Sequence, residues 1–304
     1  MIDRPSTRFG LFIGQAGLAW DELVERFVLA DELGFDHAWV PDHLMPTDPP
    51  HDRPFLEAWT ALAGLAVRTN RIRIGALVSS NTFRHPGLLA KQAATVDHIS
   101  GGRLNLGIGT GWYHDEHERF GIRLPEPAER VDRLEEALEV LDALLAGEPA
   151  WYDGRHYRLS GALALPAPVQ RPSIPLLIAA HRPRMLRLAA RRAAIWDTFA
   201  TTRGTATEGV DTSLVERVRV FDEACRDAGR DPATVRRSVW VGSEPMASES
   251  AYSSFVEQHR ALGFTDLMTG LPPRDRWTTV RSIATSLIPR LREADAMATA
   301  PITS

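Results

Sequence analysis

Apolar positions along the chain switch repeatedly between two periods. Residues 8–13, RFGLFI, form a short apolar run closed by Gly14, and Trp20, Leu23, Val24, Phe27, Val28 and Ala30 follow at helical spacing. Gly34 supplies the left-handed position at which a helix exits, and residues 35–40 read as a second buried strand. The pattern recurs as helix 55–67, strand 72–78, helix 88–99, the turn Ser100-Gly101-Gly102, strand 104–108, and a long helix with Val131, Leu134, Leu138, Leu141 and Leu145 on one face. Residues 148–175 break the rhythm with five prolines and a Tyr-Asp-Gly-Arg hairpin turn. Alternation resumes with strands at 176–179, 195–200, 235–241 and 265–269 and helices at 183–192, 214–228, 249–262 and 277–291. Eight strand–helix pairs in one chain predict an α/β fold, a closed (β/α)8 TIM barrel with an insertion between strands 4 and 5, over an open doubly wound sheet. Residues 1–304 are expected to form a single domain, with 148–175 an irregular excursion.

Composition narrows the function. The 304 residues are 44% hydrophobic, as in globular chains, and a formal charge of −4 offers no broad basic field, so nucleic acid is not an expected partner. The lone Cys225 shares a helical stripe with Leu214, Val218 and Phe221 and reads as a buried apolar residue, not a nucleophile. No uninterrupted apolar stretch approaches the roughly 18 residues of a membrane helix, and the N-terminus lacks the apolar core of a signal peptide, so a soluble cytoplasmic protein is expected.

In a barrel of this kind the chemistry gathers after the strand C-termini, here residues 14–19, 41–53, 79–86, 109–120, 180–184, 201–209, 242–251 and 270–275. Asp42 and His43 follow strand 2, where an imidazole can contact a polar ring edge or move a proton near neutrality, or else merely cap the loop. After strand 4, Gly107, Gly109 and Gly111 allow close backbone approach to a flat ligand, and Trp112 and Tyr113 offer stacking surface. The segment lacks the third glycine of a dinucleotide fingerprint. His114, Asp115, Glu116, His117 and Glu118 are consecutive, so they cannot converge on one ion; they read as a solvated loop or a substrate-contacting rim, and no metal is expected. After strand 5, Pro183 suits a first helical position, and His181, Arg182 and Arg184 beside it form either an anion site or ordinary helix-surface arginines.

Three stretches carry a family resemblance: ELVERFVLADELGFDHAWVPDHL, IGALVSSNTFRHPGLLAKQAATVDHISGGRLNLGIGTGW and PLLIAAHRPRMLRLAARRAAIWD. Together they resemble the luciferase-like monooxygenase superfamily, especially its branch that uses coenzyme F-420 (F420), a deazaflavin. The resemblance implies a flavin or deazaflavin across the barrel mouth with its phosphate near strand 5. It further implies a non-proline cis peptide near Leu77, Val78 and Ser79 that touches the ring, and a ring-proximal His43 that serves as proton donor or hydrogen-bond partner. Asp42, Gly109, Thr110, Gly111 and Trp112 match ring-lining positions, and Ala179, Ala180, His181, Arg182 and Arg184 fall at the phosphate.

The chain also departs from that pattern. Ala179-Ala180-His181-Arg182 replaces a glycine-rich phosphate loop, so charge on His181 and Arg182 would have to stand in for lost amide contacts. Trp112 and Thr47 stand where the sugar-phosphate dehydrogenases of the branch carry a Glu and an aromatic residue, which argues against glucose 6-phosphate. The leading expectation is an oxidoreductase that moves a hydride between reduced coenzyme F420 and a small organic substrate, with Trp20, Trp112, Tyr113 and His114 shaping an apolar substrate pocket. The alternatives are an FMN-dependent monooxygenase that uses dioxygen, a non-catalytic ligand-binding barrel and a metal-dependent hydrolase. The family's habit of pairing through outer helices implies a homodimer.

Overall fold

The computed structural model describes residues 6–200 and 214–299; the expected loop at 201–209 lies outside them. In chain order the elements are β1 (Arg8–Phe12), α1 (Trp20–Glu32), β2 (His37–Val40), α2 (Ala58–Arg68), β3 (Arg73–Ala76), β4 (Ser79–Ser80), α3 (Pro86–Ser100), β5 (Leu106–Gly109), α4 (His114–Arg119) and α5 (Pro127–Leu145). There follow β6 (Ala150–Asp153), β7 (Arg158–Ala162), β8 (Leu176–Ala179), α6 (Pro183–Arg192), β9 (Ile195–Phe199), α7 (Leu214–Asp227), β10 (Arg236–Val241), α8 (Glu249–Ala261), β11 (Asp266–Gly270), α9 (Trp277–Ser282) and α10 (Ile288–Thr299). The strand–helix alternation read from the apolar pattern is present throughout. No helix among the described residues is long and apolar enough to cross a membrane.

The chain divides into two compact units. Of the described residues, the first holds 6–13, 29–39, 178–200 and 214–299; the second holds 14–28 and 40–177. In the first, β1 pairs in parallel with β2 on one side and β11 on the other, and β10 joins β11 to β9. Phe9, Leu11, Trp39, Trp196 and Leu267 are fully buried, and the Trp196 ring stacks on Phe221 with centroids 4.1 Å apart. Cys225 is buried, as its helical stripe implies.

Polar residues also enter this interior. Asp197, Ser238 and Asp266 stand in one register across β9, β10 and β11. Burial, with Asp266 nearby, pushes the Asp197 carboxyl up to about 8. Arg236 donates to Asp266 at 2.7 Å, and His37, which accepts from the Trp39 indole at 2.7 Å, is lowered by burial to about 4.

In the second unit α2 packs on α3 and α3 on α5. Arg103 donates to the carbonyls of Ala66, Thr69 and Ile72 and so ties the end of α2 to the approach of β3. The hairpin expected at Tyr-Asp-Gly-Arg forms from antiparallel β6 and β7, its turn held by Glu136 of α5, which accepts from the amides of Arg155, His156 and Tyr157.

Three of the boundaries that differ from the pattern do so for local reasons. α2 starts at Ala58 instead of 55, because the Glu57 carboxylate caps it by accepting from the amides of Trp59 at 3.0 Å and Thr60 at 2.7 Å. β3 ends at Ala76, and the Leu77–Val78 peptide after it is cis, where the resemblance implied one. Beyond Trp277 the chain stays helical to Thr299 through a π-turn at Ile283–Leu287, its far end anchored by Arg260–Asp295 and Arg292–Asp36 pairs.

Candidate active site

Asp42 and His43 follow directly on β2, in the second unit. The Asp42 side chain is buried. Its Oδ2 accepts from the Ser80 amide at 2.8 Å and from Arg84 Nη1 at 2.5 Å, and its Oδ1 accepts from Arg84 Nη2 at 2.9 Å. A carboxylate held by a bidentate guanidinium and a backbone amide is a fixed strut between the loop after β2 and residues 80–84, from β4 onward.

His43 is held differently. Its Nδ1 lies 2.7 Å from Oε1 of Glu116, whose Oε2 accepts from the Leu44 amide at 3.0 Å. Glu116 is 1% exposed, whereas the His43 side chain keeps 18% of its surface open. The Trp112 and Tyr113 rings stand perpendicular to the imidazole, with centroids 5.8 and 6.2 Å away. Trp112 itself is 58% exposed and presents a broad aromatic face.

The segment 114–118 is neither loop nor wholly solvated. It forms α4, and while His114 and Glu118 face outward, Glu116 and His117 are buried. His117 donates from Nδ1 to the Tyr113 carbonyl at 2.7 Å, so its Nε2 accepts from the Thr82 hydroxyl, also at 2.7 Å; Thr82 in turn bonds Ser80. One short helix therefore braces the loop after β2 through Glu116 and the loop after β4 through His117. The expectation of a solvated loop fails at Glu116 and His117, because each inward side chain meets a fixed hydrogen-bonding partner. Among the described residues no group of three or more acidic, histidine or cysteine side chains is placed to hold a metal.

The glycines of β5 admit a close approach within the protein itself. A Cβ at Gly107 would stand 2.2 Å from the Ala76 carbonyl oxygen, and one at Gly109 would stand 2.7 Å from Val78. They let the turn at Leu77–Val78 press against β5. Gly111 has φ +78° and faces the Ser80 and Thr82 hydroxyls, and Arg130 holds its carbonyl. The Ser79 hydroxyl accepts from the Trp59 indole at 3.2 Å, which commits that side chain to the interior. Trp20 covers Gly64 of α2 and is about one-third exposed (37%).

In the first unit, Pro183 opens α6 as expected, and Arg182 stands at the N-cap without a side-chain cap. His181 is neutral here, contrary to the charge expected of it. Burial and the Arg217 and Arg182 charges lower it to about 3, its Nδ1 meets the Thr198 hydroxyl at 3.1 Å, and its ring packs against Phe199.

Arg84 and Glu116 escaped the sequence reading. The pointer to Arg84 was Asp42, an acid at a buried strand end that needs a counter-charge. Glu116 lay inside a run of mixed charge with no periodicity to set it apart.

The model of the luciferase-like monooxygenase family matches residues 6–279, and the chain belongs to this family. An F420-dependent glucose-6-phosphate dehydrogenase of Microbacterium testaceum is 36% identical over 227 residues, 73% of this chain and 64% of that protein; the chain thus spans just under two-thirds of that relative's length. Among solved structures, an F420-dependent secondary alcohol dehydrogenase in complex with an F420–acetone adduct superposes with a TM-score of 0.81, at 17% identity over 94% of this chain and 99% of the other. The monooxygenase RslO1 from Streptomyces bottropensis does so with a TM-score of 0.71, at 22% identity over 93% and 99%. These likenesses show the fold: α/β, of the (β/α)8 TIM-barrel class.

Proposed function

We propose that the chain is an oxidoreductase that moves a hydride between coenzyme F420 and a small organic substrate, with His43 exchanging the accompanying proton. The observation that carries this reading is His43 itself: a partly open imidazole at the end of β2, oriented by a buried carboxylate and flanked by Trp112 and Tyr113. The relative and the solved structure that use F420 support the choice of cofactor.

The residues present suit such a group. Trp112 supplies an open aromatic face and His43 a polar nitrogen beside it. When bound, the coenzyme gives or takes the hydride. The protein's own task is to orient, to exclude water and to hold one proton on His43. Leu77, Val78, Gly109, Thr110, Gly111 and Trp112 would line the ring, with Asp42 and Ser79 placing their backbone there. Ala179, Ala180, Arg182 and Arg184 would meet the phosphate, with a neutral His181 as a hydrogen-bonding neighbour. Trp20, Tyr113 and His114 would border the substrate, and Trp112 and Thr47 point away from glucose 6-phosphate.

Titration of the purified protein with F420 and with FMN tests the reading. Saturable F420 binding, with His43→Asn keeping that binding but losing turnover at least about 100-fold, is the expected result. FMN binding without F420 binding would overturn the choice of F420 and favour the FMN-dependent monooxygenase reading instead. Binding of neither would leave a non-catalytic barrel.

A further inference from the structure

We propose that Glu116 is a positioning residue that keeps the proton on Nδ1 of His43, so that proton exchange takes place only at Nε2. The role assigned to His43 rests on the function proposed above; the tautomer itself does not. Two groups converge on the Glu116 carboxylate: His43 Nδ1 at 2.7 Å from Oε1 and the Leu44 amide at 3.0 Å from Oε2. An ionised carboxylate only accepts hydrogen bonds, so a neutral His43 must carry its proton on Nδ1, and the imidazolium keeps that same proton. The lone pair then sits on Nε2, at the other end of a ring that keeps 18% of its side-chain surface open. Burial of Glu116 removes water as a competing acceptor for Nδ1.

The other groups around His43 do not offer Nδ1 an alternative. Asp42, the neighbouring acid, is taken up by Arg84 and the Ser80 amide. Glu57 caps α2 and lies 3.5 Å from Arg84. Trp112 and Tyr113 stand perpendicular to the imidazole, with ring centroids 5.8 and 6.2 Å away. Asp115 and Glu118 share α4 with Glu116, but Glu118 lies outward beside His114.

The Leu44 amide also dictates what an isosteric change would do. In Glu116→Gln the carboxamide oxygen must face the Leu44 N–H, since the opposite flip would set two donors against each other. The NH2 group then faces His43, where it can only donate, so Nδ1 must become the acceptor and the neutral ring moves its proton to Nε2. A single-atom replacement thus inverts the tautomer while the volume of the site stays the same.

The test is a pH titration by 15N NMR of histidine-labelled, cofactor-free protein, with the His43 resonances assigned by their loss in His43→Asn. In the natural sequence Nδ1 should stay protonated throughout while Nε2 titrates; in Glu116→Gln the neutral ring should carry its proton on Nε2. A neutral His43 with an Nε2 proton in the natural sequence would overturn the proposal, as would an unchanged tautomer in a folded Glu116→Gln. The measurement on the natural sequence decides the matter even if the variant does not fold. With F420 and a turned-over substrate, Glu116→Gln should lower kcat about 100-fold with little change in KM. Absence of F420 binding would sink the proposed function while leaving the tautomer result to stand or fall by itself.

Discussion

The strut formed by Asp42 and Arg84 sets the terms on which the candidate site is held at the level of single residues. The guanidinium and carboxylate side chains are 7% and 1% exposed, so each charge depends on the other for compensation. Removing one member of a buried pair typically costs about 3–5 kcal/mol, because the other is stranded. Asp42→Ala should therefore lower stability by about 3 kcal/mol in urea unfolding, and Arg84→Met placed in that background should recover part of the loss. Simple additivity of the two single losses would show that the pair is uncoupled. The strand-end position of Asp42 and His43 was legible from the apolar run before them. What each side chain holds was not, because both partners, Arg84 and Glu116, are distant in sequence and reach the site only through the fold. Sequence likewise marked Gly107 and Gly109 as places of close approach, but not that β3 and Val78 would be the approaching groups.

Helices were read well where apolar spacing and glycine or proline punctuation agreed, as at α6, where Pro183 opens the helix as expected. They were read poorly where a polar side chain sets the boundary. Glu is an uncommon N-cap, so nothing in the pattern placed the start of α2 after Glu57. Burial opposes ionisation of Glu57, yet the hydrogen bonds from Thr60 and Trp59 and the Arg84 charge outweigh it and hold the carboxyl below its ordinary range. A lowered carboxyl stabilises the fold above its unfolded pKa, and that contribution fades as pH falls through the folded value. Glu57→Ala should accordingly cost about 1 kcal/mol at pH 7, with the gap to the natural sequence narrowing in acid. A gap independent of pH between 7 and 3 in urea unfolding would contradict the cap. α4 went unread for a related reason: six residues of mixed charge carry no apolar period, and the helix is held by what Glu116 and His117 bond.

For the molecule as a whole, the alternation of βα units was countable because parallel strands buried on both faces read as apolar runs. The polar residues set into those strands were absorbed into the same runs, and they shape the response to pH. Folded Asp197, near 8, binds a proton that its unfolded counterpart near ~4 has released, so its contribution falls as pH climbs between those values. His37 and His181 act in the opposite sense, losing stability as pH drops from ~6.5 toward about 4 and about 3. Above pH ~6.5 only the Asp197 contribution remains, so stability should peak near that point and decline toward pH 8. Asp197→Asn should flatten this alkaline limb in a series of urea unfolding curves; an unchanged limb would refute the assignment. The small helix α4 has a consequence of another kind. Barrels of this class diversify by exchanging loops on a constant frame, yet here the loops after β2 and β4 share one clasp through Glu116 and His117. They form a single module, and a graft that carries either loop without α4 would import half of a lock.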